Sequence, residues 1–364
     1  MTSFLAQYGL FLLQLFTFVL AIVAVVATVF MLGKGGNRSA PGGQIEITKL
    51  NESLEDMSDA LRKINLDPAQ LKQNLKDEKA EKKAKAKEEK KAAKDAARRR
   101  GDGETHIDEP TRKAVYVLDF DGDIRGSAVN SLRREISAVL TSAKTDDEVV
   151  VRLESGGGMV ASYGLGASQL DRIRKKGIPL TVCIDKVAAS GGYMMACVAS
   201  KILAAPFAIV GSIGVVAQIP NFHRLLKEHK VDFELLTAGK FKRTLTMFGE
   251  NTDDAREKFM EDIERIHDQF KSHVKMHRSS LDIDKIATGE TWSGEDAVQL
   301  SMVDDLLTSD EYLMQACETS DVFEIKYREK KTLMERVGIA AQTTIDNTVM
   351  TWLDRLLKSR FLAG

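Results

Sequence analysis

Cysteine and histidine are scarce in this chain of 364 residues. Its three cysteines, Cys183, Cys197 and Cys317, share no metal-ligand spacing and cannot all pair with one another. A disulfide framework and a zinc module are therefore not expected. Six histidines leave little for a histidine-rich metal centre. An excess of one charge is lacking too: 52 Lys and Arg stand against 53 Asp and Glu, a formal net charge of −1. That balance removes the whole-protein case for nucleic-acid binding. No segment reads G-x-G-x-x-G or carries the Gly-Lys-Ser/Thr of a P-loop, so a nucleotide site is not expected. The stretch HVKMH, residues 273–277, spaces two histidines by four but lacks the glutamate of H-E-x-x-H. It reads as a solvated helix face; of the other histidines, His223 and His229 fall in a polar helix and His267 on the same long charged helix.

What is present is strongly segmented. Residues 10–32 form a 23-residue run without charge, with only Gln14, Thr17 and Thr28 polar. As a helix this covers ~34 Å, enough for a hydrocarbon core of ~30 Å. A cleaved signal peptide fits poorly, because no basic residue precedes the run and no A-x-A site follows it. A retained single-pass anchor is expected. Lys34 and Arg38 follow the span and no Lys or Arg precedes it, which favours a cytoplasmic body. Residues 71–100 then hold 13 Lys and Arg against 6 Asp and Glu, with seven alanines and no apolar stripe. Such a stretch has nothing to bury and reads as a solvated spacer. The expected organisation is an anchor at 1–33, a charged Lys/Ala/Glu-rich stalk at 34–111, a folded body at 112–310 and an extension at 311–364. Within the extension, residues 344–362 are amphipathic and read as a docking helix.

The body alternates strand and helix patterns, which predicts an α/β fold with both sheet faces covered. Strands are expected at 114–120, 148–153, 179–184, 201–205 and 231–236. Helices are expected at 127–142, 159–175, after Ser190, and at 253–277. The apolar region 187–219 contains Lys201, Pro206 and several glycines, and reads as buried core under the site rather than a second span.

Three glycine-punctuated segments could do chemistry: RLESGGG (152–158), DKVAASGGYMMA (185–196) and GSIGVV (211–216). Ser190 sits at an expected helix start between Ala189 and Gly191. It is either a simple helix cap or a nucleophile whose small neighbours let a carbonyl approach. A serine nucleophile needs a base, and no histidine accompanies these segments. A lysine can serve if desolvation removes its charge. Lys240 and Lys242 in TAGKFKRT are both candidates, and spacing does not choose between them.

At these residues the chain resembles the protease IV (signal peptide peptidase A) family, most closely its SohB branch. The resemblance spans roughly 113–308 and rests on AASGGYMMA, GSIGVV, GKFK and GETWSGEDAVQLSMVD in combination. It implies a Clp protease/crotonase-like fold, preceded here by the transmembrane helix and stalk, and a serine–lysine dyad. By position it implies Ser190 as nucleophile, Lys242 as general base and Ser212 as the serine that orients the lysine. The N–H groups of Gly157 and Gly191 are implied as the oxyanion hole. No metal or organic cofactor is implied. Peptide or membrane-protein fragments are the implied substrates, with the lipid bilayer and further copies of the chain as partners. The implied location is the cell (inner) membrane. For the side on which the body lies, several relatives suggest the outer face while the flanking charge favours the cytoplasm. Gly156 stands where the family usually has proline, and Ser301 where it commonly has glycine. A catalytically silent membrane scaffold and a crotonase-like acyl-CoA enzyme are the rival readings.

Overall fold

The computed structural model describes Thr17 and residues 43–64 and 112–329. Residues 45–328 form one compact unit; residues 1–44 and 329–364 make the other, of which only Thr17, Gly43, Gln44 and Glu329 are described. Among the described residues no helix is long and apolar enough to cross a membrane. Thr17 apart, the expected span at 10–32 lies outside the described residues, as do the basic stretch 71–100 and the amphipathic stretch 344–362.

The unit is a mixed α/β fold. Strand β1 (Gln44–Lys49) leads into helix α1 (Leu50–Ile64). The body begins with β2 (Ala114–Gly122), α2 (Val129–Ser142), β3 (Glu148–Ser155), α3 (Val160–Lys175) and β4 (Leu180–Ile184). Short elements follow: β5 (Val187–Ala189), α4 (Gly191–Ala196), β6 (Lys201–Ala204), β7 (Ile209–Gly211) and α5 (His223–Glu228). The long α6 (Asp253–His277) precedes α7 (Ile283–Ile286), β8 (Thr291–Ser293), α8 (Gly294–Gln299), β9 (Asp305–Leu306), α9 (Ser309–Thr319) and β10 (Asp321–Arg328).

The main sheet runs β1-β10-β2-β3-β4-β6-β9. From β10 to β9 neighbouring strands pair in parallel. Strand β3 is central, and its near-continuous apolar run EVVVRLES is what a strand covered on both faces requires. Helices α2 and α3 bury Leu132, Ile136, Leu170 and Ile173 in the same core as Val149, Val151 and Leu153. One feature positions the site. Half of β3 pairs with β4, from Val149↔Leu180 to Arg152↔Cys183, but its last residue, Ser155, pairs with Ala188 of β5. A second small sheet leaves there, with β5 parallel to β7 and β7 antiparallel to β8.

Two segments are more integrated than the sequence suggests. Residues 44–64, expected within the stalk, belong to the sheet and its cover. Asn51 donates through Nδ2 to the carbonyls of Cys317 and Ser320, both at 3.0 Å, and accepts the Val322 N–H at 2.8 Å. Residues 309–328, expected largely within the extension, supply α9 and β10, and β10 lies between β1 and β2.

The strand expected at 231–236 is absent, a correction. VDFELL alternates apolar and polar residues, but no neighbouring strand pairs with it, and Val231, Phe233, Leu235 and Leu236 are exposed. Alternation describes a strand only where there is a sheet edge to receive it. The region 187–219 is mostly buried core as far as Ile213, but it surfaces at Phe207 and Ile209 and again at Val216.

Candidate active site

Ser190 lies at the turn between β5 and α4, with φ 51° and ψ −118°. A non-glycine residue held there stores about 1–3 kcal/mol of backbone strain, which the surroundings must fix. They do so through two bonds: the Ser190 N–H donates to Gly211 C=O at 2.7 Å, and the Met194 N–H donates to Ser190 C=O at 3.0 Å. The Ser190 side chain makes no capping bond to α4. The simple-cap reading therefore fails, and the hydroxyl is left for other use. A strained strand-to-helix turn is also how other hydrolases present a serine.

The glycines around it are required by close approach. Gly157 has φ +90°, and a Cβ there would sit 2.7 Å from both Ser190 Cβ and the Gly191 nitrogen. Ser212 follows β7 with φ 51°, its N–H donating to Glu290 C=O at 2.6 Å. Gly156, Gly157, Ser190, Gly191 and Ser212 line one cavity of about 530 Å³. Val160, Met194, Ile266 and Phe270 give it apolar walls, and Thr288 and Gly289 line it too. Gly191 opens α4, so its N–H has no acceptor within the helix. The Gly157 N–H donates to Ser155 Oγ at 3.1 Å.

Four of the five residues singled out in the sequence thus share a cavity. Lys242 does not line it. It is exposed, in a loop where its N–H donates to Gly239 C=O at 3.1 Å. Its neighbour Lys240 stands over the Phe241 ring, 5.0 Å from the centroid. Gly156 is free of packing, with nothing within 4 Å of where a Cβ would be.

One residue was missed by sequence reasoning. His267 lines the cavity, and its Nε2 is buried without a hydrogen-bond partner among the described residues. The available signal was its place three and seven residues before the buried Phe270 and Val274, on one face of α6. The cysteines are no rival nucleophiles here. Burial pushes the Cys183 thiol up to about 12 and raises that of Cys197 as well, which keeps both protonated and inert. Among the described residues no group of His, Cys, Asp and Glu is placed to hold a metal ion. A hydroxyl unused by its helix, backbone N–H groups beside it and an apolar cavity suit nucleophilic attack on an acyl carbon.

Comparison with known proteins agrees with this chemistry. The descriptions "Peptidase family S49 N-terminal" and "Peptidase family S49" match residues 3–170 and 172–322. The chain is 49% identical over 349 residues to "Probable protease SohB" of Haemophilus influenzae, covering 96% of each chain. It is 27% identical over 221 residues to "Protease 4" of the same organism, covering 58% of this chain and 35% of that one. A solved structure of the 1510-N membrane-bound stomatin-specific protease in complex with a substrate peptide gives a TM-score of 0.39 at 14% identity, covering 62% of this chain and 98% of that one. With a relative aligned almost from end to end and family descriptions spanning 3–322, this chain belongs to peptidase family S49.

Proposed function

We propose that the protein is a serine endopeptidase with a Clp protease/crotonase-like body, held at the cell inner membrane by residues 10–32. It hydrolyses peptide bonds of membrane-protein or signal-peptide fragments with a Ser190–Lys242 dyad. The observation that carries this reading is Ser190 itself: a serine in a strained turn, its hydroxyl unused by the helix, at a cavity it shares with Gly157, Gly191 and Ser212. The apolar walls suit apolar substrate side chains.

In this mechanism the neutral amine of Lys242 takes the Ser190 hydroxyl proton as Oγ attacks the peptide carbonyl carbon. The developing oxyanion is received by the N–H groups of Gly157 and Gly191. The lysine, now an ammonium, gives its proton to the leaving amine. It then takes one from the water that releases the acyl group. Ser212 orients the lysine. A lysine acts as a base only where desolvation or a neighbouring cation has removed its charge. Among the described residues Lys242 is solvent-exposed and does not line the Ser190 cavity, and the cover we propose for it is a second copy of the chain. The segment carrying it is rich in exposed apolar side chains, among them Val216, Phe222, Val231, Phe233, Leu236 and Phe241. A second copy would cover that surface, and the dyad would then be completed between neighbours in a homo-oligomer.

Mixing two inactive variants tests the dyad and its supply together. Ser190→Ala and Lys242→Met alone are each expected to leave a reporter peptide uncut. An equal mixture, allowed to exchange subunits, should regain about a quarter of the parental sites, because one interface in four then pairs an intact serine with an intact lysine. Parental turnover by Lys242→Met alone would end the dyad reading. An inert mixture would return the base to the same copy as the serine.

A further inference from the structure

Tyr163 is fully buried in the first turn of α3, and the mechanism above makes no use of it. Yet its ring meets one of the two oxyanion glycines and its hydroxyl is linked to the other. The ring lies against Gly191: a Cβ added there would overlap Tyr163 Cγ and come within 2.8 Å of its Cβ and Cδ1. The hydroxyl donates to Asp123 C=O at 2.8 Å and lies 2.6 Å from Ser155 Oγ. Ser155 Oγ in turn accepts the Gly157 N–H at 3.1 Å.

Counting protons gives these contacts a direction. Each hydroxyl has a single proton to donate. With the Tyr163 proton on Asp123 C=O, the 2.6 Å contact is Ser155 donating to Tyr163, in preference to its 3.2 Å contact with Gly122 C=O. The bonds then run one way: Gly157 N–H to Ser155 O–H to Tyr163 O–H to Asp123 C=O. Bonds in such a chain polarise and strengthen one another, more so where water is excluded. Ser155 is also pressed against the start of α4, since a Cβ at Gly192 would lie 2.5 Å from Ser155 O.

We infer that Tyr163 is a positioning residue for the oxyanion hole, aligning the Gly191 amide by packing and the Gly157 amide through Ser155. The loop needs such a constraint, because Gly156 has no side chain and nothing packs against it. At 3.1 Å the Gly157 N–H is at the long end of its range, so an incoming oxyanion can share it while Ser155 still holds the peptide in place. This role rests on the serine-peptidase reading above and extends it to the residue behind the glycines.

Tyr163→Phe keeps the ring and removes only the relay. On a reporter peptide, kcat is expected to fall about tenfold, short of the ~10²–10³ that follows loss of a whole oxyanion donor. KM should stay within about twofold, because the oxyanion exists only after attack. A peptide aldehyde, whose adduct with Ser190 carries that oxygen, should lose inhibitory strength by the same factor as kcat. Ser155→Ala should reproduce the loss, and the double variant should add nothing, as for members of one chain. Unchanged kcat in a folded Tyr163→Phe, a loss residing in KM, or losses that multiply would overturn the role. If the parent cuts the reporter no faster than Ser190→Ala, the peptidase reading has failed instead.

Discussion

Glu135 lies within the body on α2, its Oε1 accepting the Tyr327 N–H at 2.7 Å and its Oε2 buried without a partner among the described residues. Burial, reinforced by the charge of Asp119 and opposed by Lys326, pushes its pKa up to about 7. In an unfolded chain it would titrate near 4.3. Between those values the native state holds a proton that the unfolded state has lost, so stability falls as pH rises through that window. The loss is complete above the folded pKa and is about 4 kcal/mol as an upper bound. Glu135→Gln, which mimics the protonated form, is expected to raise the melting temperature at pH 8 and to change little at pH 4. No gain at pH 8 would refute this. Single residues of this kind are hidden in sequence. The glycines of SGGG and ASGGY are visible, but nothing shows that Ser190 and Ser212 take positive φ themselves. Ser301, with φ 60°, occupies a conformation that glycine would adopt without strain. Tyr163 lies in the helix expected at 159–175, and only the fold reveals that its hydroxyl leads to Gly157.

Asn51 joins three pieces of chain at the level of elements. It satisfies the carbonyls that end α9 and an N–H of β10, and so fastens α1 to a strand more than 250 residues away. Asn51→Ala strands these backbone groups and is expected to destabilise the unit by about 1–3 kcal/mol, read as a lower urea midpoint. An unchanged midpoint would mean that water replaces the side chain at no cost. The elements β2, β3, α2, α3 and α6 were legible within a residue or two, the strands from β-branched runs, α2 from its apolar face and α6 as a long charged helix. Elements defined by distant pairing were not. β1 (QIEITK) and β10 (DVFEIKYR) each largely alternate apolar and polar residues, yet what makes them strands is a distant partner in the sheet, which neither pattern reveals. In 231–236 the local pattern is present and the partner strand is missing.

At the scale of the whole molecule, the exposed apolar segment that carries Lys242 stands out among the described residues. Phe222 and Phe233 both pack near Phe248, with ring centroids 6.0 and 5.7 Å apart, but Val216 and Leu236 remain 82% and 90% exposed. Leu236→Glu is expected to weaken self-association in sedimentation and to lower turnover with it, leaving the melting of the single unit near that of the parent. Turnover unaffected in a dissociated variant would sever oligomer from activity. The cavity also has a consequence in time. Its walls come from residues 156–160, 190–194, 212–216, 266–270 and finally 288–289, and β8 closes onto β7 only with residues 291–293. A ribosome must therefore release about a hundred residues beyond Ser190 before the last wall arrives. The half-made chain carries this serine but not its finished cleft.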